Sequence, residues 1–144
     1  MNSIPKKQDH AVLSVEVIEP DLIEAAVSKG LNSYCRMELM LTKGRPFDLY
    51  AYTVKMQKFT SRLEAIIKKV SVKPDSIKFV FSSDDVEVAL MKGDYKVHAI
   101  IDVENLNCVH CIIQKGESIG GNYFEGEDDK PVIEWLNKAL SVGE

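Results

Sequence analysis

The forty residues from Ser76 to Lys115, SIKFVFSSDDVEVALMKGDYKVHAIIDVENLNCVHCIIQK, decide the fold. Ile77, Phe79 and Phe81 alternate with polar or smaller residues, and Val86, Val88 and Leu90 continue the pattern around Glu87. Tyr95, Val97, Ala99, Ile101 and Val103 follow, offset by Lys96, His98 and Asp102. Period-two patterning of this kind marks strands with one buried and one solvated face. The paired acids Asp84-Asp85 fall where a hairpin turn is needed. The stretch predicts an antiparallel β-meander, with Asn107 to Lys115 as its last strand. No motif of enzyme chemistry interrupts it.

Working outward, the chain toward the N-terminus predicts a frayed tail over residues 1–9 and a first strand between Ala11 and Glu19. Pro20 then suits a helix first turn, and Gly30 is placed to end that helix. Met37, Leu39 and Leu41 alternate with Arg36, Glu38 and Met40, which predicts a second strand. Lys43-Gly44-Arg45-Pro46 is expected as a turn, and Asp48 to Met56 as a returning third strand. Ser61-x-x-Glu64 has capping-box spacing, so a helix is expected to open at Thr60 or Ser61. Leu63, Ile66, Ile67 and Val70 would form its core stripe, with Phe59 as a staple.

On the C-terminal side, residues 116–128 hold four of the eight glycines and are expected to be a loop. Asp128 or Asp129 would cap a last helix, with Pro131 in its first turn and Gly143 at its end. Val132, Leu136, Ala139 and Leu140 would face the core, bordered by Trp135.

The expected order is β-α-β-β-α-β-β-β-β-α, a single α+β domain over residues 1–144 with two or three helices on one antiparallel sheet. Its first six elements match a ferredoxin-like split βαβ unit. Taken from the first helix, the order resembles the roadblock/profilin-type arrangement and the secretion chaperones whose helices flank one antiparallel sheet. These likenesses lie in element order alone.

Composition narrows the function classes. The chain has 144 residues, 45% hydrophobic and 28% charged, with a net charge of −4. Those proportions suit a soluble globular domain and argue against disorder. The acidic balance disfavours nonspecific nucleic-acid binding. Met1 to His10 lacks an apolar signal region, and no apolar run approaches the ~20 residues that span a bilayer. Three cysteines are too few, and odd in number, for a disulfide scaffold, so a reducing cytoplasm is expected.

Catalytic and metal motifs are weak. Cys108-Val109-His110-Cys111 has a C-x₂-C spacing without a second ligand pair, and strand alternation would put Cys108 and His110 on one face and Cys111 on the other. Core packing explains it more simply. Residues 116–121 carry the glycine spacing of a phosphate loop, but Asn122 and Tyr123 stand where lysine and Ser/Thr are required. Neither a metal nor a cofactor is expected, and no catalytic residue.

Charge is distributed unevenly. Lys55 to Lys78 holds seven basic residues against two acids, a net +5. Glu117 to Lys130 holds five acids against one lysine, a net −4, with Tyr123 and Phe124 among them. Two solvated segments would explain this. A partner site would explain it too, since acids steer a basic partner and exposed aromatics anchor it. The expected contact residues are Glu117, Tyr123, Phe124, Glu125, Glu127 and Asp128. The function expected is non-catalytic: an acidic protein that binds a partner protein and inhibits or escorts it, as immunity proteins and chaperones do. A small-molecule or nucleotide sensor is the alternative.

Overall fold

A computed structural model describes residues 10–17 and 20–142. The expected tail over residues 1–9 and the role given to Gly143 lie outside the described residues. The order is β1 (Val12–Val17), a single 3₁₀ turn (Pro20–Leu22), α1 (Ile23–Leu41), α2 (Leu49–Lys69), β2 (Ser76–Ser82), β3 (Asp85–Lys92), β4 (Tyr95–Asp102), β5 (Cys108–Lys115), β6 (Ser118–Glu125) and α3 (Lys130–Val142). The six strands form one antiparallel sheet in the order β1-β2-β3-β4-β5-β6. The domain is α+β, with three helices. Among the described residues no helix is long and apolar enough to cross a membrane.

The meander forms as the alternation dictates. Phe79, Phe81, Val86, Val88, Val97, Ala99, Ile101, Val109 and Cys111 are fully buried on one face of the sheet. Leu31 and Tyr34 of α1, Leu63 and Ile66 of α2, and Val132, Leu136 and Leu140 of α3 join the same core. All three helices therefore lie on one side. Burying side chains of this size is the main favourable contribution to folding, about 1.5–3 kcal/mol for each large apolar residue.

Three sequence expectations are corrected. The second and third strands, over Met37–Leu41 and Asp48–Met56, are helical, as the second half of α1 and the first half of α2. The ferredoxin-like order falls with them. Gly30 does not end a helix but lies in the middle of α1, where a Cβ would come within 2.2 Å of Val15 Cγ2. Only glycine lets α1 approach β1 so closely, and that packing offsets the helix propensity it gives up, about 1 kcal/mol. Ser61 is no cap either. Asp48 caps α2, its Oδ1 accepting the Ala51 N–H at 3.0 Å. Of the expected core stripe of that helix, Leu63, Ile66 and Ile67 are buried, whereas Val70 lies just past the helix end in extended backbone and is half-buried.

Candidate functional site

The loop expected over residues 116–128 is largely a strand. Gly116 and Glu117 make a two-residue hairpin loop, with Gly116 at a φ of 58° that favours glycine. From there β6 pairs with β5 along its whole length. It was unreadable as a strand because Gly120, Gly121 and Asn122 break the apolar alternation, and because an edge strand buries little. Every residue of β6 is exposed except Phe124, which is partly buried.

Hydrogen bonding fixes which way each backbone group of β6 points. Gly126 N–H donates to Asn107 O at 2.8 Å. In an antiparallel ladder hydrogen-bonded pairs recur every second residue. Phe124, Asn122, Gly120 and Ser118 therefore turn their backbone groups toward β5, whereas Glu125, Tyr123, Gly121 and Ile119 turn theirs outward. The Tyr123 N–H confirms the direction, since it is satisfied locally by Asn122 Oδ1 at 2.9 Å and not by the ladder.

The same outward-facing residues carry their side chains on the helix-free face of the sheet. Tyr123 is 64% exposed and Ile119 68%. Tyr123 stacks on its cross-strand neighbour His110, ring centroids 4.1 Å apart and planes 7° from parallel. Beside this pair lies a hollow of about 380 Å³ lined by Asp85, Ile100, Asp102, Glu104, Cys108, His110 and Tyr123. Burial and the neighbouring Glu87 and Asp84 push the Asp85 carboxyl up. Deeper in the face, His98 is buried although it lies on the side without helices, and its Nδ1 sits 3.2 Å from Glu87 Oε2 without hydrogen-bond alignment. His98 holds the Glu87 carboxyl below its ordinary value.

The six expected contact residues are thus spread over two faces and two connections. Tyr123 and Glu125 share the helix-free face. Phe124 points to the opposite side and packs against the core. Glu117 sits in the β5–β6 turn and Glu127 in the β6–α3 link, both exposed. Asp128 Oδ1 accepts the Lys130 N–H at 3.0 Å, a local turn contact just before α3. The third acid of that link, Asp129, is not free for a partner, because its Oδ1 accepts from Arg62 Nε at 2.9 Å.

Arg62 also explains part of the basic segment. Its guanidinium donates from Nη1 to Leu106 O at 2.5 Å and from Nη2 to Gly126 O at 2.9 Å, joining α2 to the β4–β5 turn and the β6–α3 link. Lys68 pairs with Glu24 on α1, and Lys78 lies on β2 opposite Glu16 of β1. The charges that sequence places together are dispersed over several surfaces.

A second polar cluster carries no signal in the sequence pattern. Glu38 of α1 is buried, accepting the Ala11 N–H at 3.0 Å and the Tyr34 hydroxyl at 2.6 Å. Tyr34 and Tyr52 oxygens are 2.9 Å apart, and His10 Nδ1 lies 3.7 Å from Glu38 Oε2. Only the correct helices bring these residues together, and strand readings of Met37–Leu41 and Asp48–Met56 separate them. With its oxygens occupied by donors from Ala11 just before β1, from α1 and from α2, Glu38 acts as a tie between elements. Cys111 is buried and Cys108 partly so, on opposite faces of β5 as alternation requires. Among the described residues no three His, Cys, Asp or Glu side chains converge as a metal site would need.

Compared with protein-family models, curated proteins and solved structures, the chain finds no match.

Proposed function

We propose that this chain is a small, acidic, cytoplasmic protein-binding protein, without catalytic activity of its own, that inhibits or escorts a partner carrying a basic surface. One observation carries the reading: the helix-free face and the β6 edge form a continuous surface with exposed Tyr123 and Ile119 on it and acids at its ends. Aromatic residues at the centre of a docked surface supply most of the binding energy, and flanking acids accelerate encounter with a basic partner. The occupied ties at Glu38 and Arg62 support the non-catalytic part, since both clusters serve packing.

Capture of a partner from the native source, followed by kinetics with Tyr123→Ala, tests this reading. The variant should dissociate faster by an amount corresponding to ~2 kcal/mol, about thirtyfold. Neutralising Glu125 and Glu127 together should instead slow association, most visibly at low salt. A captured partner whose kinetics ignore all three positions would place the site elsewhere.

One feature favours the sensor as a second reading. A hollow of about 510 Å³ lies at the C-terminal end of α2, floored by Ile23, Ile67, Val70, Ile77 and Leu90 with Lys68 and Lys73 at its rim. Native mass spectrometry showing a retained small molecule, lost on filling that hollow with Val70→Trp, would favour it.

A further inference from the structure

Resting on the protein-binding reading above, we propose that the partner supplies an extended basic segment that adds to the sheet as a further strand, antiparallel to β6. An exposed sheet edge is a template for pairing, and proteins ordinarily blunt it with proline, lysine or an inward-pointing charge. Residues 118–125 contain none of these devices. The outward N–H groups of Ile119, Gly121 and Glu125, and the outward C=O groups of these residues and Tyr123, are spaced to pair with an incoming chain, as in other strand-addition complexes, whereas the Tyr123 N–H is already held by Asn122 Oδ1.

Side chains define what that chain must carry. Gly121 cannot bear a side chain, because a Cβ there would lie 2.9 Å from the Cys111 carbonyl oxygen. Its bare backbone leaves a gap between Ile119 and Tyr123 on the helix-free face, a place for an incoming aromatic ring. On the other face Gly120 is also bare. A shallow apolar hollow of about 210 Å³ lined by Ile113, Trp135 and Val142 lies beside it, ready for an alternate apolar side chain. Opposite Glu125, with Glu127 and Asp128 beyond, a basic residue completes the register.

In the register centred on Gly121, charge also opposes a second copy as the occupant. Two β6 strands paired antiparallel about Gly121 would set Glu117 of each against Glu125 of the other. Like charges directly opposite are destabilising, and here they would occur twice.

The probe is a synthetic heptapeptide with lysine, valine, phenylalanine and valine at alternate positions, separated by threonines. Antiparallel pairing places them across from Glu125, Tyr123, Gly121 and Ile119. Amide exchange followed by NMR should slow ~tenfold or more at Ile119, Gly121 and Glu125, with little change at Gly120 and Asn122, which already bond to β5. Ile119→Pro removes an outward N–H without touching the β5 ladder. It should weaken the peptide ~tenfold while leaving the melting temperature unchanged. Glutamate in place of the peptide's lysine should weaken binding similarly. Binding without the alternate-residue protection overturns strand addition but leaves the protein-binding reading standing. Failure of the peptide, with a captured natural partner still sensitive to Tyr123→Ala, overturns the basic-strand occupant alone. Protection of the same amides in the free protein, with dimeric sedimentation, makes a second copy the occupant. If neither peptide nor captured protein depends on β6, both readings fall.

Discussion

Arg62→Ala should lower the unfolding free energy by about 3 kcal/mol in urea denaturation, the largest loss expected from any side chain not wholly in the apolar core. Its side chain is only 11% exposed, and its guanidinium reaches Asp129, Leu106 O and Gly126 O at once. Removing it strands a carboxylate and two carbonyl oxygens in a partly dry site, and unmet acceptors cost more than a met bond gains. Because Asp129 is 22% exposed, water can recover part of the loss, which sets the figure at the low end for a buried pair. Arg62→Lys should restore little, since an ammonium cannot reach three acceptors in a plane. The double variant Arg62→Ala, Asp129→Asn should lose clearly less than the sum of its single changes, the mark of a direct interaction. A loss below about 1 kcal/mol for Arg62→Ala would show that the clasp is not formed in solution.

Glu38→Ala should be nearly as damaging, at about 2–3 kcal/mol, because it leaves the Ala11 N–H and the Tyr34 hydroxyl buried without their acceptor. The tyrosines add a pH signature. Burial, and then the hydrogen bond to Glu38, push the Tyr34 hydroxyl well above the ordinary tyrosine range. Burial pushes Tyr52 up to about 12. The folded state therefore keeps protons that the unfolded chain releases near pH ~10. This contribution is fully present below that value and is lost as pH climbs from there through 12 and beyond. Phenolate absorbance from these two residues should appear late in an alkaline titration, together with unfolding. In Tyr34→Phe the late component should shrink, and early titration of both residues in the intact protein would refute the buried cluster.

The legible part of the fold was the part whose residues obey a single period. From Ser76 to Lys115 each strand has one apolar face, and burial follows that face except at Ala89 and His98, which are buried on the other. The α1–α2 hairpin failed for a physical reason. Its surface carries Met40, Tyr50 and Val54, 78%, 80% and 42% exposed, so apolar residues fall on the solvent side and mimic alternation. The helical period was present in Ile23, Val27, Leu31, Tyr34 and Glu38, but Gly30 read as a stop and the last member is a carboxylate. Nothing in the local sequence shows that Val15 will lie against that glycine. The site was half legible. Composition singled out Tyr123 and its flanking acids, whereas the strand that presents them carries too many glycines to signal itself. Glu38, Tyr34, Tyr52 and Arg62 become a set only through contacts distant in sequence.

Hydrogen exchange by mass spectrometry on the complex with the partner captured from the native source bears most directly on where this protein binds. Exchange should slow in peptides covering Ser118–Glu125, extending to the helix-free side of β5, with α1 and α2 unchanged. Protection confined to α1, α2 or the hollow around Ile67, with β6 exchanging as fast as in the free protein, would contradict binding at β6.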